Sequence, residues 1–203
     1  MTLKGIDVSS CQGRIDWGRV KNAGIGFVMA RASHGQTGRD SAFAANVAGA
    51  QARGLAVGAY HFSCAENTAQ AKAEARNFLA AVQGCKLDYP LVYDLENNTN
   101  TKKAAAGWSD LAVAFLGALE SAGYFAMLYS DKPSLETRFD AARIAPYAVW
   151  AADWAPKCTY KGPYGIWQTS GTGKVPGVTG AVNTDIGYVD YAAIIRHAGL
   201  NHL

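Results

Sequence analysis

The chain has 203 residues, 49% hydrophobic and 17% charged, enough for one substantial core and too few for two comfortable ones. Against 16 Asp and Glu stand 19 Lys and Arg, a formal charge of +3 with no dense basic run, so nucleic acid is excluded as the expected partner. No stretch reads as a transmembrane span, and "MTLKGIDVSS" runs from Met1 directly into an apolar strand pattern instead of a secretory leader.

In chain order, apolar runs rich in β-branched residues predict strands at 4–9, 26–32, 55–62, 90–96, 125–130, 147–153, 164–170 and 183–189. Helical patterns fall between the early ones. Asp16 before Trp17 reads as an N-cap. Asp40 is expected to cap a helix carrying Phe43 and Val47 that stops at Gly54. Asn67 with Gln70 resembles a capping box, followed by an apolar face of Ala71, Ala75, Phe78, Leu79 and Val82. Trp108 to Gly123 repeats the pattern with Leu111, Phe115, Leu116 and Leu119. Gly/Pro-rich loops separate the last three strands. Continuous apolar strands alternating with helices predict an α/β fold with a parallel sheet. About eight strands with roughly five crossover helices suggest a closed, irregular (β/α) barrel similar to a TIM barrel, with an open doubly wound sheet as the alternative.

In such a fold chemistry gathers at the carboxyl ends of the strands. There the sequence places Asp7, Tyr60-His61, Asp94 and Glu96, Tyr129-Ser130, Asp153-Trp154, Gln168 and Asp185. In "PLVYDLE", Asp94 and Glu96 alternate with Leu95, so both acids face the barrel interior roughly 6.6 Å apart along the strand. Two acids that close raise each other's proton affinity, which leaves one protonated and one ionised. Cleavage of a glycosidic bond needs that division, and Tyr and Trp at the rim suit the apolar faces of sugars. A strand-end carboxylate is often only a helix cap, but capping does not call for two acids on one inward face. The rival reading is a metal site with Asp7, Asp94, Glu96 and Asp185 as oxygen ligands. Trp108, Trp150 and Trp167 read as core, and Trp154 as the sugar platform.

Other motifs fall away. "SGTGKV" has Gln168 where a phosphate loop needs its first Gly and Val175 where it needs Ser or Thr. Asn97-Asn98-Thr99 matches a glycosylation sequon, but a glycan there would obstruct the acids beside it. Cys11, Cys64, Cys85 and Cys158 lack metal-ligand spacing and read as free thiols. The four His residues are scattered.

The segments "GIDVSSCQGRIDWGRVKNAGIGFVMARASHG" (5–35), "GLAVGAYHF" (54–62), "PLVYDLE" (90–96), "VWAADW" (149–154) and "IWQTSGTGKVPGVTGAVNTDIGY" (166–188) resemble, in order, the motifs of glycoside hydrolase family 25 lysozymes. The resemblance implies a retaining N-acetylmuramidase on an irregular (β/α) barrel, acting on the β-1,4 bond between N-acetylmuramic acid and N-acetylglucosamine in bacterial peptidoglycan. By position it implies that Glu96 is the general acid/base and Asp94 its partner. Asp7 and Asp185 become the other acids of the cleft, and Tyr60, Tyr129, Trp154 and Gln168 sugar contacts. The family's last motif commonly reads D-x-N-Y. Here Gly187 stands in place of the Asn, putting any contact from that position in doubt. The expectations are one catalytic domain over residues 1–203 without a separate cell-wall-binding module, no cofactor or metal, and a monomer without nucleic-acid or membrane partners. It would act on the cell wall outside the cytoplasm. Non-catalytic peptidoglycan binding and chitinase-like cleavage are the alternatives.

Overall fold

The computed structural model describes residues 2–96, 98–101 and 107–203; Asn97 of the sequon-like triplet lies outside them. In order the elements are β1 (Leu3–Val8), α1 (Trp17–Asn22), β2 (Phe27–His34), β3 (Gly38–Arg39), α2 (Phe43–Gln51), β4 (Ala56–Phe62), α3 (Thr68–Val82), β5 (Leu91–Asp94) and α4 (Trp108–Ser121). Then follow β6 (Ala126–Asp131), α5 (Lys132–Thr137), α6 (Ala141–Ile144), β7 (Ala148–Ala152), β8 (Ile166–Gly173), β9 (Val182–Gly187) and α7 (Tyr191–His197). The strand order β1-β9-β8-β7-β6-β5-β4-β2, closed by pairing of β1 with β2, makes an eight-stranded barrel, and β3 adds a two-residue edge to β2. All eight expected strands are present, and helices cover the connections from β1 through β7.

The barrel is not wholly parallel. β9 runs antiparallel to both of its neighbours, β8 and β1. The connection 174–181 is too short for the dozen or more residues of a parallel crossover, so β8 and β9 must form a hairpin. Asp185 therefore does not end its strand at the mouth, as the expectation of a parallel last strand had it. β9 starts at the mouth, and Asp185 sits within the strand, paired with Gln168 on one side and Gly5 on the other. The loop is clamped to α1: Asp16 N donates to Gly177 O at 2.8 Å, and a Cβ on Gly177 (φ +101°) would lie 2.3 Å from Asp16 O.

Strand alternation sorts the core into two layers. Ile6, Val8, Val28, Ala30, Leu91, Tyr93 and Leu95 face the helices, and the Tyr93 ring stacks on Phe115 of α4 with centroids 3.9 Å apart. Phe27, Met29, Val92, Met127, Trp150 and Ile166 fill the barrel interior. Gly5 is dictated by that filling, because a Cβ there would lie 2.2 Å from the Phe27 ring, itself stacked on Tyr89 at 4.9 Å. Each large side chain so buried contributes about 1.5–3 kcal/mol.

The caps divide. Asp16 accepts from Arg19 N and Asn67 from Gln70 N, as expected, while the Gln70 side chain reaches back to Glu66 N, one residue beyond a standard box. Asp40 does not cap α2, whose N-cap is Ala42 without a side-chain bond. Its carboxyl instead collects Arg31, Ser10 and Ala42, a brace between the loops after β1 and β2.

Candidate active site

At the carboxyl ends of the parallel strands opens a cavity of about 260 Å³. Seven of the eight residues expected from the sequence line it: Asp7, Tyr60, Asp94, Glu96, Tyr129, Trp154 and Gln168. Asp185 lies beneath its floor, where Trp150 Nε1 donates to Asp185 Oδ1 at 3.0 Å. Arg31, Phe62, Trp150 and Asn183 also line it, and the sequence did not single them out as site residues. Asn183 could have been found from the loop length, since a β8–β9 hairpin puts the first residues of β9 at the mouth. A wider groove of about 730 Å³ runs along α1 and the end of α2, past Arg14, Arg19 and Arg53, and holds none of these acids.

β5, which ends at Asp94 and not at Glu96 as the expected strand 90–96 had it, and the two residues after it supply the central pair. Leu95 is buried among the helices, so Asp94 and Glu96 on either side of it turn into the cavity. Their main chain is pinned: Ser63 N donates to Asp94 O at 2.9 Å, Ser130 Oγ to Leu95 O at 2.6 Å, and Thr101 Oγ1 to Glu96 O at 2.5 Å. Burial, then the charges of Glu96 and Asp7, push the Asp94 carboxyl well above the usual range, with Arg31 opposing. Glu96 is raised by burial and by Asp131. Asp94 Oδ1 is buried without a hydrogen-bond partner among the described residues, a costly state that a bound ligand can relieve.

Gln168 connects the remaining groups. Its Oε1 accepts from Tyr129 Oη at 3.1 Å and Trp154 Nε1 at 3.0 Å, and its Nε2 donates to Asp7 Oδ2 at 2.8 Å. Asn183 Nδ2 donates to Asp7 Oδ1 at 3.0 Å. Burial nevertheless pushes the Asp7 carboxyl up to about 7, against those two bonds and with help from Glu96. Trp154 is 66% exposed. Its ring lies against Gly171, where a Cβ would come within 2.6 Å of it, and it lines the cavity. Gly187 lies at the opposite end of β9, beside Phe27 and Tyr89, so the doubted Asn position belongs to the barrel floor and makes no contact with this cavity.

Asp185 offers a test of the buried charge. Burial first, then Asp7, raise its carboxyl well above 3.8, with Trp150 opposing, and its Oδ2 has no partner among the described residues. The folded state therefore binds a proton that the unfolded chain has already released, and this group's contribution to stability falls as pH rises above the ordinary carboxylate range. Asn copies the shape of the protonated acid. Asp185→Asn is expected to raise Tm at pH 8 by roughly 2–8 °C, with the gap closing toward pH 4 in scanning calorimetry; an equal gap at both pH values would contradict a charge origin.

The comparisons with known proteins fit this geometry. The model of glycosyl hydrolases family 25 matches residues 6–178. The chain belongs to that family. Lysozyme M1 of Streptomyces globisporus is 30% identical over 198 residues, covering 89% of this chain and 66% of the relative, so the chain spans just under two thirds of that protein's length. Among solved structures, the CTP1L endolysin superposes with a TM-score of 0.84 at 26% identity, over 96% of this chain and 70% of the endolysin. The lysozyme from Streptomyces coelicolor gives 0.75 at 26% identity, over 97% and 96%. Membership of family 25 and the likeness to the endolysin agree with the α/β barrel that the sequence motifs implied.

Proposed function

We propose that this family 25 domain is a retaining N-acetylmuramidase that cuts the β-1,4 bond from N-acetylmuramic acid to N-acetylglucosamine in peptidoglycan. The observation that carries the reading is the pair Asp94 and Glu96 turned into one cavity on either side of buried Leu95, with an exposed Trp at the rim. Glu96 donates its proton to the glycosidic oxygen as the C1–O bond breaks. The carbonyl oxygen of the substrate's own 2-acetamido group attacks C1, and Asp94 orients and stabilises the cationic ring that forms. Water then attacks C1, Glu96 takes its proton, and two inversions leave the β configuration unchanged.

The proton has to be on Glu96 when the bond breaks. Burial raises both carboxyls, and positive charge developing beside Asp94 favours its ionised form, which leaves the proton to Glu96. Within this reading the domain acts as a monomer, on cell wall outside the cytoplasm. Digestion of purified peptidoglycan followed by identification of the new reducing-end sugar tests the assignment: N-acetylmuramic acid is expected, and N-acetylglucosamine would refute it.

A further inference from the structure

We propose that Arg31 reads the 3-O-lactyl group by which muramic acid differs from the glucosamine beside it, an inference that rests on the muramidase reading and supplies its specificity. Arg31 lies on β2 in register with Tyr60 of β4 and lines the cavity with Asp7, Asp94 and Glu96, the single cation of that lining among the described residues. Its side chain is 23% exposed and is held from behind: Nε donates to Asp40 Oδ2 at 2.8 Å, and Nη2 reaches Ser10 Oγ at 3.4 Å.

Asp40 is a built anchor. Its side chain is fully buried and also accepts Ser10 N at 3.0 Å, Ser10 Oγ at 3.2 Å and Ala42 N at 2.9 Å. Burial pushes this carboxyl up, but those bonds and the guanidinium hold it below the usual range. Beyond those two bonds the guanidinium has the Cys11 thiol, a weak acceptor, as a neighbour, and Arg31 lines the cavity, so a stronger acceptor entering there can take its outer N–H groups. A planar, rigidly tethered donor fork of this kind suits a carboxylate or an amide carbonyl, either of which the lactyl group presents. Any of the three carboxyls lining the cavity that is ionised repels a lactyl carboxylate, and a facing cation offsets that. The 3-hydroxyl of glucosamine meets no such barrier.

Binding to a Glu96→Gln background, measured by calorimetry, separates the two sugars. The ligands are a tetrasaccharide alternating N-acetylglucosamine with N-acetylmuramic acid, its lactyl carboxylates free, and chitotetraose. Adding Arg31→Ala is expected to weaken the muramyl ligand at least tenfold and chitotetraose less than twofold. Arg31→Lys, which keeps the charge and can still pair with Asp40 but loses the fork, falls between. It carries the same comparison if the alanine variant, with Asp40 left unpaired, does not fold. Equal losses on both ligands, or none on either, overturn the assignment. Product analysis of the unsubstituted protein separates the two claims. Muramic acid at the new reducing ends together with equal losses removes only the role of Arg31, whereas N-acetylglucosamine there removes the muramidase reading and this inference with it.

Discussion

Glu96→Gln is expected to lower turnover of peptidoglycan roughly 10²- to 10⁴-fold, the usual worth of a general acid, while glycan affinity stays within about threefold. The amide keeps the size of the acid but cannot deliver a proton to the leaving oxygen, nor take one from water. The Glu96 main chain is held by Thr101 through the carbonyl, so the substitution leaves the loop in place. Stopped assays on soluble glycan strands measure the loss, and retention of more than about a tenth of wild-type turnover would mean that another group supplies the proton. The same acid sets the pH profile. In the proposed mechanism Glu96 has to be protonated to act, and its carboxyl is raised, so activity should decline as pH climbs through that raised value. Asp7, titrating near 7 in the same cavity, adds negative charge over the neutral range.

Glu74→Ala is expected to cost about 2–5 kcal/mol of stability, roughly 5–15 °C in Tm for a domain of this length, although Glu74 lies outside the cavity. It is 1% exposed on α3. It accepts from Ser63 Oγ at 3.0 Å and Cys64 N at 2.7 Å, and stands 3.5 Å from His61 Nε2. Because the Ser63 hydroxyl donates to Glu74, the Tyr93 hydroxyl, 2.8 Å away, donates to Ser63. Ser63 in turn holds Asp94 O through its N–H and takes Asn98 Nδ2 on its carbonyl at 2.8 Å. Alanine would strand several buried donors at once. The catalytic rate of the folded fraction should also fall, since the strand end carrying Asp94 and Glu96 is fastened to this network. Glu74→Gln, which can still accept at one atom, should lose far less by thermal melt and activity assay; equal losses would show that charge, not bonding, matters there.

What local pattern could reveal was revealed. The alternation of Asp94, Leu95 and Glu96 is a period-2 property of three neighbouring residues, and it continues past the end of β5 because Leu95 stays buried in the core. The depth of Asp185 is different in kind. It depends on strand direction, set by the connection 174–181, and the strand pattern of 183–189 reads the same in either direction. Asp40 misled because its bond to Ala42 N imitates a cap, whereas the bonds that define its role come from Ser10 and Arg31, 30 and 9 residues away in sequence. Glu74 carries a signal readable in sequence: it lies on the face of Ala71, Ala75, Phe78 and Val82, where an acid at helical spacing has to find buried partners.

The Gln168 amide has a consequence for traffic inside the cavity. Two donors, from Tyr129 and Trp154, fix its oxygen, so it cannot rotate to offer that oxygen to Asp7. Asn183 closes the other side of Asp7 with a second amide. Neither amide relays protons as a hydroxyl or an imidazole can. Asp7 thereby acts on Asp94 and Glu96 through its electric field and not through either amide, and in the proposed mechanism the proton that Glu96 gives to the leaving sugar comes back from the incoming water.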